Sequence, residues 1–368
     1  MRIVARTASW CLGLAGLLAA AVTVSAALGP VRVPPVEVTK VLLNALAVPV
    51  GAEVETRSMP GPLFVPAIEL RYVSPFAYPV ADLHRQIVVA IRLPRILLAA
   101  VVGFALAAAG TVMQGFFRNP MADPSIIGVS SGAAVGAVAF IVAPAMLPGW
   151  LHWLGLQGMA FLGALAAAFG VYAIATRNGR TPVATLLLAG VAVQTFLGAV
   201  VSYLQLQAEE SLRQVVGWLM GHLAGASWAE VRVTLVVVPV LFAVLLVYAR
   251  DLNVLLLGEE EARGLGIAVE RTKRILLGVS ALITAAGVAV TGVIGFVGLI
   301  VPHMLRLVVG PDHRILLPTA ALAGGSFLVI ADTVARLGSA EIPVGVVTAA
   351  VGAPFFLFLL RKREVHEL

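Results

Sequence analysis

The sequence predicts an all-α, polytopic membrane protein of about ten transmembrane helices, with both termini cytoplasmic. Composition, the spacing of apolar runs and the placement of basic residues carry that prediction. Of 368 residues, 60% are hydrophobic and 12% charged, with a mean hydropathy of +1.00. A soluble domain carries about 25% charged residues. Half that fraction leaves most of the surface facing something other than water, and lipid is the natural solvent.

A helix needs about 20 apolar residues to cross the ~30 Å hydrocarbon layer. Ten runs are candidates: 10–28, 96–117, 125–143, 159–175, 183–203, 231–248, 275–293, 296–309, 315–332 and 343–360. The first follows Arg2 and Arg6 and ends in VSAALG, so a cleaved signal peptide competes with a retained span there. Residues 29–91 then form a long outer segment. Its apolar piece at 41–50 is too short to span, and a surface helix followed by an irregular, proline-rich excursion is expected. The second run contains GFALAAAG (103–110), a string of small residues suited to close helix packing. The eighth carries Pro302, His303 and Arg306, and is expected to be broken or only partly embedded.

An even number of spans puts both termini on one side, and the positive-inside rule chooses the side. With the termini in the cytoplasm, inner segments hold 15 of the 25 basic residues. Seven lie between 29 and 95, a stretch long enough for the rule to lose force, and only Arg213, Arg232 and Arg336 remain outside.

The formal charge of +6 does not indicate nucleic acid, because the basic residues lie singly between apolar runs. The single cysteine, Cys11, excludes an intramolecular disulfide. No GxxxxGK[ST] loop, HExxH or CxxC occurs, and the six histidines form no ligand-spaced pair. The chain therefore carries no P-loop of its own and no metal-ligand signature. The middles of the spans lack the ionisable relays of ion-coupled transporters. Asp332 and Arg336, four residues apart, can pair with each other near a helix end. Anything moved across the membrane must be driven from elsewhere; a gradient-driven transporter and a plain membrane scaffold are the competing classes.

The exception to this apolar monotony is GEEEARGLG, residues 258–266, within the inner loop 249–274. Charged residues alternate there with Leu255, Leu256, Leu257, Ala262, Leu265 and Ile267. Two short helices around a turn at Gly264–Gly266 suit that pattern. A solvated connector and a docking platform for a soluble partner are both consistent with it.

Seven ordered stretches carry a family resemblance. They are RLPR (92–95), AAAGTVMQGFFRNPMADPSIIGVSSGAAVGA (107–137), LLLAGVA (186–192), LGEEEARGLG (257–266), GFVGLIVPHMLRLVVGPDHRILLP (295–318), ADTVAR (331–336) and IPVGVVTAAVGAPFFLFLL (342–360). Together they resemble the ten-span permease subunits of binding-protein-dependent ABC importers for iron chelates, haem and vitamin B12. The resemblance implies a homodimer of permeases in the bacterial inner membrane. It also implies two ATP-binding cassette subunits that hold the ATP and Mg, and a periplasmic binding protein outside. The permease itself would be no enzyme and would bind no cofactor.

Residue by residue, the resemblance implies that Gly258, Glu259, Ala262, Arg263, Leu265 and Gly266 couple to the ATPase. Arg92, Arg95 and Arg336 match outer-face arginines that pair with glutamates of the binding protein. Asn119 and Met121, opposite Pro182 and Val183, match the cytoplasmic gate. Met121 stands where leucine is usual, and the outer segment is longer than usual. Gln194 and Thr195 are polar positions in the fifth span, suited either to a water-filled path or to a bond with a neighbouring helix. His222, near the outer mouth, is a candidate contact for cargo. GVSSGAA and APFFLFLL lean towards haem, ahead of siderophores and cobalamin.

Overall fold

The computed structural model describes residues 2–29, 31–45, 48–58, 64–338 and 340–362. Fifteen α-helices lie among them. In chain order α1 is Arg2–Ala27, α2 Pro35–Ala45, α3 Asp82–Gln86, α4 Leu93–Phe116, α5 Val129–Val142, α6 Gly155–Ala175, α7 Val183–Leu206 and α8 Leu212–Leu219. They continue as α9 Trp228–Val247, α10 Ala249–Leu255, α11 Glu259–Gly264, α12 Val269–Thr291, α13 Val297–Val309, α14 His313–Ala335 and α15 Val344–Lys362. Each of the ten expected spans coincides with one apolar helix. Seven of these helices are long and apolar enough to cross a membrane, and α5, α13 and α15 are shorter. The chain is a multi-pass membrane protein.

The core is organised on α4, in which 20 of 24 residues are buried. A helix that is apolar all round cannot present a polar face to water, so it takes the middle of the bundle. Lipid gives helices no hydrophobic reason to associate, so packing must come from close contact. Small residues supply it. A Cβ added at Gly103 would lie 2.3 Å from the Gly324 carbonyl of α14, and one at Gly110 would lie 1.8 Å from that of Gly298 on α13. Gly132 and Gly163 join α5 to α6 in the same way. By contrast α7 leaves Leu188, Val191, Phe196 and Leu206 more than 60% exposed, a face free for lipid or another subunit.

The near face, where α1 begins, is marked by Arg6, which donates to the carbonyl of Val309 at the end of α13 (3.0 Å). The opposite, far face carries the end of α1. There Ser25 accepts from Thr333 (2.8 Å), and Ala26 accepts from Arg92 (2.6 Å). The first helix is thus built into the bundle against α14. As expected, α13 is short: 13 residues rise only about 20 Å. It starts at Phe296, held in the left-handed region (φ 69°).

The outer segment departs from expectation. After α2 it forms an antiparallel ribbon, β1 (Val48–Ser58) and β2 (Phe64–Val73), with Val54 opposite Ile68. The alternation in GAEVETRS and AIELRYV is the period-2 signal of a strand, and the neighbouring prolines obscured it. Asn44 then exchanges two 2.9 Å hydrogen bonds with the main chain of Tyr78, and Glu37 of α2 pairs with His84 of α3. The chain enters α4 through a π-helical turn, Ile87–Arg92.

Candidate functional site

Between α9 and α12 the near face carries the two short helices α10 and α11. They are separated by Leu256–Gly258, with Gly258 at φ 133°. The expected turn at Gly264–Gly266 also exists, but it joins α11 to the long α12 instead of to a second short helix. Three glutamates in the first turn of α11 favour the positive end of its peptide dipoles, and Arg263 sits at the other end. Ala262 is fully buried and anchors the helix. Gly266, at φ 86°, returns its amide to Arg263 (3.0 Å) and closes the turn. Leu257 and Leu265 are each 64% exposed beside Glu260, Glu261 and Arg263.

What this unit touches matters more than its outline. Lys273, on the first turns of α12, is almost wholly buried. Its ammonium donates to Glu259 (2.9 Å) and to the carbonyl of Thr181 (2.5 Å). The Thr181 amide in turn donates to Glu270 (3.2 Å). Arg263 lies 3.4 Å from Glu259 and 3.8 Å from Glu270. Thr181 immediately precedes Pro182 and Val183, where α7 begins. On the other side, Asn253 of α10 donates to Asp312 (2.7 Å) and accepts from the amide of His313 (2.9 Å), the first residue of α14. Asp312 lies outside the helices, and its bonds to Arg314 hold its pKa down to about 2. The α10–α11 unit therefore grips the near ends of α7, α12 and α14 together.

One of the expected gate positions meets the same place. Val183 lines a small cleft together with Glu259, Lys273, Leu255, Phe116 and Arg118. Asn119 accepts from the amide of Met121 (2.9 Å), which stiffens the turn after α4, and Arg118 takes a left-handed conformation (φ 48°). Asp123 caps the following turn through Ser125, and its burial raises its pKa. Gln194 donates to the carbonyls of Ser125 (2.9 Å) and Ile126 (2.7 Å). Of the two roles open to it, bonding to a neighbour is the one observed. Thr195 bonds within its own helix, to Val191.

At the far face the three expected docking arginines turn inward. Arg92 is 4% exposed and donates to the carbonyls of Ala26, Ala27 and Val31. Arg95 makes a two-pronged contact with Asp332 (2.6 and 2.9 Å) and pairs with Glu341 (2.6 Å). Arg336 pairs with Asp332 (3.0 Å) and donates to Ser25 (2.7 Å). None presents a free guanidinium. A buried charge must be paired or it costs several kcal/mol, about 3–5 when one partner is lost, and Asp332 satisfies two cations at once. His222 donates its amide to Thr291 (2.8 Å) and lines a cavity of about 160 Å3 with Trp218, Gln157 and Glu230. Its buried Nδ1 has no hydrogen-bond partner among the described residues.

Sequence reasoning placed Glu270 and Lys273 among the charged residues of the inner loop and the segment near 181–183 at the gate, but it joined none of them to another and did not single out Asn253. The available signal for Lys273 was its place at the end of the charged inner loop, directly before the apolar run 275–293. Among the described residues no group of three or more His, Cys, Asp or Glu is placed to hold a metal ion.

Comparison with known proteins agrees with this architecture. The model of the FecCD transport family matches residues 17–362. The chain is 56% identical to the cobalamin import system permease protein BtuC of Halobacterium salinarum over 99% of both chains. It is 48% identical to the hemin transport system permease protein HmuU of Yersinia pestis, over 74% of this chain and 83% of that one. A solved metal-chelate type ABC transporter in an inward-facing conformation superposes with a TM-score of 0.75 at 31% identity, covering 96% of this chain and 98% of its own. A family match along nearly the whole chain, on a ten-helix bundle with a polar near-face joint, places this protein in the FecCD transport family of ABC importer permeases.

Proposed function

We propose that this chain is the membrane-spanning subunit of an ATP-driven importer that moves a corrinoid, cobalamin, into the cytoplasm. The observation that carries the mechanism is the grip of α10–α11 on α7, α12 and α14 through Glu259, Lys273, Thr181 and Asn253. A soluble ATPase seated on exposed Leu257, Glu260, Glu261, Arg263, Leu265 and Gly266 pulls on Glu259. Lys273 then transmits that pull to Thr181 and the start of α7. Pro182 and Val183 move with it, against the Asn119–Met121 turn. ATP and Mg belong to the partner, and a second copy of the chain completes the path.

The cargo reading rests on relatives. Identity to the cobalamin permease runs end to end, and the haem relative is matched over a shorter span at lower identity. The sequence-level lean towards haem yields to that difference; haem is the second reading. On the far face, Arg95 and Arg336 are candidate contacts for the binding protein, by exchanging Asp332 or the half-exposed Glu341 for its carboxylates. Arg92 is held by main-chain carbonyls and closes the end of α1. His222 is a candidate contact for cargo at the far mouth.

The test is reconstitution of the permease with its ATPase and binding protein in liposomes. Cobalamin-loaded binding protein is expected to stimulate ATP hydrolysis and to deliver cobalamin to the lumen. Stimulation by haem alone transfers the cargo to the second reading. Failure of any ATPase to assemble on the permease overturns the permease mechanism itself.

A further inference from the structure

The geometry points to a binding site for an anionic phospholipid at the near face, in a slot between α6, α7 and α12 that takes an acyl chain below and the headgroup phosphate above. The slot measures about 160 Å3. Its apolar walls come from Ala168 on α6, Leu186 on α7, and Leu277 and Gly278 on α12. The polar-tipped lining residues are Tyr172 and Arg274. Along α6 and α12 these stand one turn closer to the near face than Ala168 and Gly278 do. The slot is therefore apolar at depth and basic at its shallow end, the polarity profile of a lipid leaflet.

Gly278 is the glycine of α12 that lines the slot, and it leaves room there. The helical glycines are of two kinds: a Cβ at Gly132 or Gly163 would lie 2.2 or 2.3 Å from a neighbouring carbonyl, whereas one at Gly170 or Gly198 would meet nothing within 4 Å. At Gly278 an added Cβ meets nothing within 4 Å. A mid-helix glycine costs about 0.5–1 kcal/mol relative to alanine, and here that cost purchases no helix contact, only room. An apolar cavity of roughly 150 Å3 stays dry and accepts hydrocarbon.

Among the described residues the arginines at the shallow end have no carboxylate partner, and Arg274 donates to the main-chain carbonyl of Glu270 (3.4 Å). The ion pairs of this part of the near face run among Glu259, Arg263, Glu270 and Lys273. Arg177 and Arg180, on the turn tied to α12 by Thr181 and Glu270, stand outside them and are exposed, as are Arg271 and Arg274. One guanidinium lining an apolar slot, that of Arg274, with three more exposed arginines on the same near-face segments, matches one phosphate joined to an acyl chain. A free phosphate leaves the slot empty, and a neutral lipid leaves the arginines unpaired. The occupant would brace Leu186, on the first turn of α7, directly beyond the Thr181–Val183 joint.

The test uses the full-length chain in detergent, titrated with phosphatidylglycerol, phosphatidylcholine and inorganic phosphate, with retained lipid counted by native mass spectrometry. One phosphatidylglycerol is expected to be retained in preference to phosphatidylcholine. Arg274→Gln should cut that preference about fivefold, and Gly278→Leu should lower retention of both lipids by plugging the slot. Equal retention of the two lipids by the unmodified chain overturns the proposal. So does displacement by inorganic phosphate, or unchanged phosphatidylglycerol binding by a folded Gly278→Leu variant. A disulfide-linked dimer formed by Phe169→Cys in a Cys11→Ser background also overturns it, since half-exposed Phe169 lines the slot and a second copy would then cover it. Should Gly278→Leu not fold, the exposed Arg274→Gln variant decides, and an unaltered lipid preference there overturns the site.

Discussion

Asp332 at the far face and Glu259 at the near face are both carboxylates in an apolar chain, and each serves two cations. Asp332 is about 1% exposed at its side chain, and its cations, Arg95 and Arg336, are 12% and 8% exposed. Glu259 is 33% exposed, and its two cations differ: Lys273 is 3% exposed and Arg263 is 42% exposed. At the far cluster Asp332 is enclosed by its two cations, which hold α1, α4 and α14 together, and Glu341 alone of the cluster faces outward. The near cluster is half open, with one end bolted to α12 and the turn before α7, and the other free for a partner. The lesson is that a charged group becomes structure or interface according to how completely its own fold satisfies it.

Four measurements test that contrast, from the largest effect to the smallest. Asp332→Ala strands Arg336 without its carboxylate and removes one of Arg95's two. A loss of about 3–5 kcal/mol is expected, seen as a collapse of folded yield or of the thermal midpoint in detergent. A wild-type midpoint would show that the far cluster is not the clamp described. Lys273→Met removes the ammonium that spans Glu259 and Thr181. It should cost about 1.5–3 kcal/mol and lower cargo flux more than ATPase assembly, measured in the same vesicles; equal losses of both would make Lys273 a plain stabiliser.

Charge reversal at the open end, Glu260→Lys with Arg263→Glu, leaves Glu259 to Lys273 and should change stability by less than about 1 kcal/mol. It is nevertheless expected to abolish co-purification with the ATPase. Intact assembly and flux would leave the near loop a mere connector. The smallest effect belongs to Asp312. Its folded pKa is about 2 against an ordinary value near 4, so its contribution is complete above pH 4 and fades as pH falls through 2. The gap in thermal midpoint between the unmodified chain and Asp312→Asn should therefore shrink between pH 7 and pH 2.5. A gap that widens on acidification would mean the carboxylate is not stabilising in its ionised form.

The ten helices were legible because lipid imposes a length and a composition that a reader can count. The polar loop was legible because its charges interrupt that pattern, and the family resemblance assigned roles to Glu259 and Arg263. Three things were not legible. The ribbon β1–β2 hid in a proline-rich stretch whose strand period is short. The inward turn of Arg92 depends on α1 ending beside it, a contact across some 65 residues of chain. The part played by Lys273 depends on Thr181, which no local pattern brings near it.

The sequence by itself determined the solvent, the number of spans, their polarity and the place of the joint, because hydrophobic length and charge bias act locally along the chain. Only the tertiary structure decided which charges are spent internally and which remain available. Satisfaction of a buried ion is a property of its neighbours in space, and those neighbours come from helices far apart in the chain.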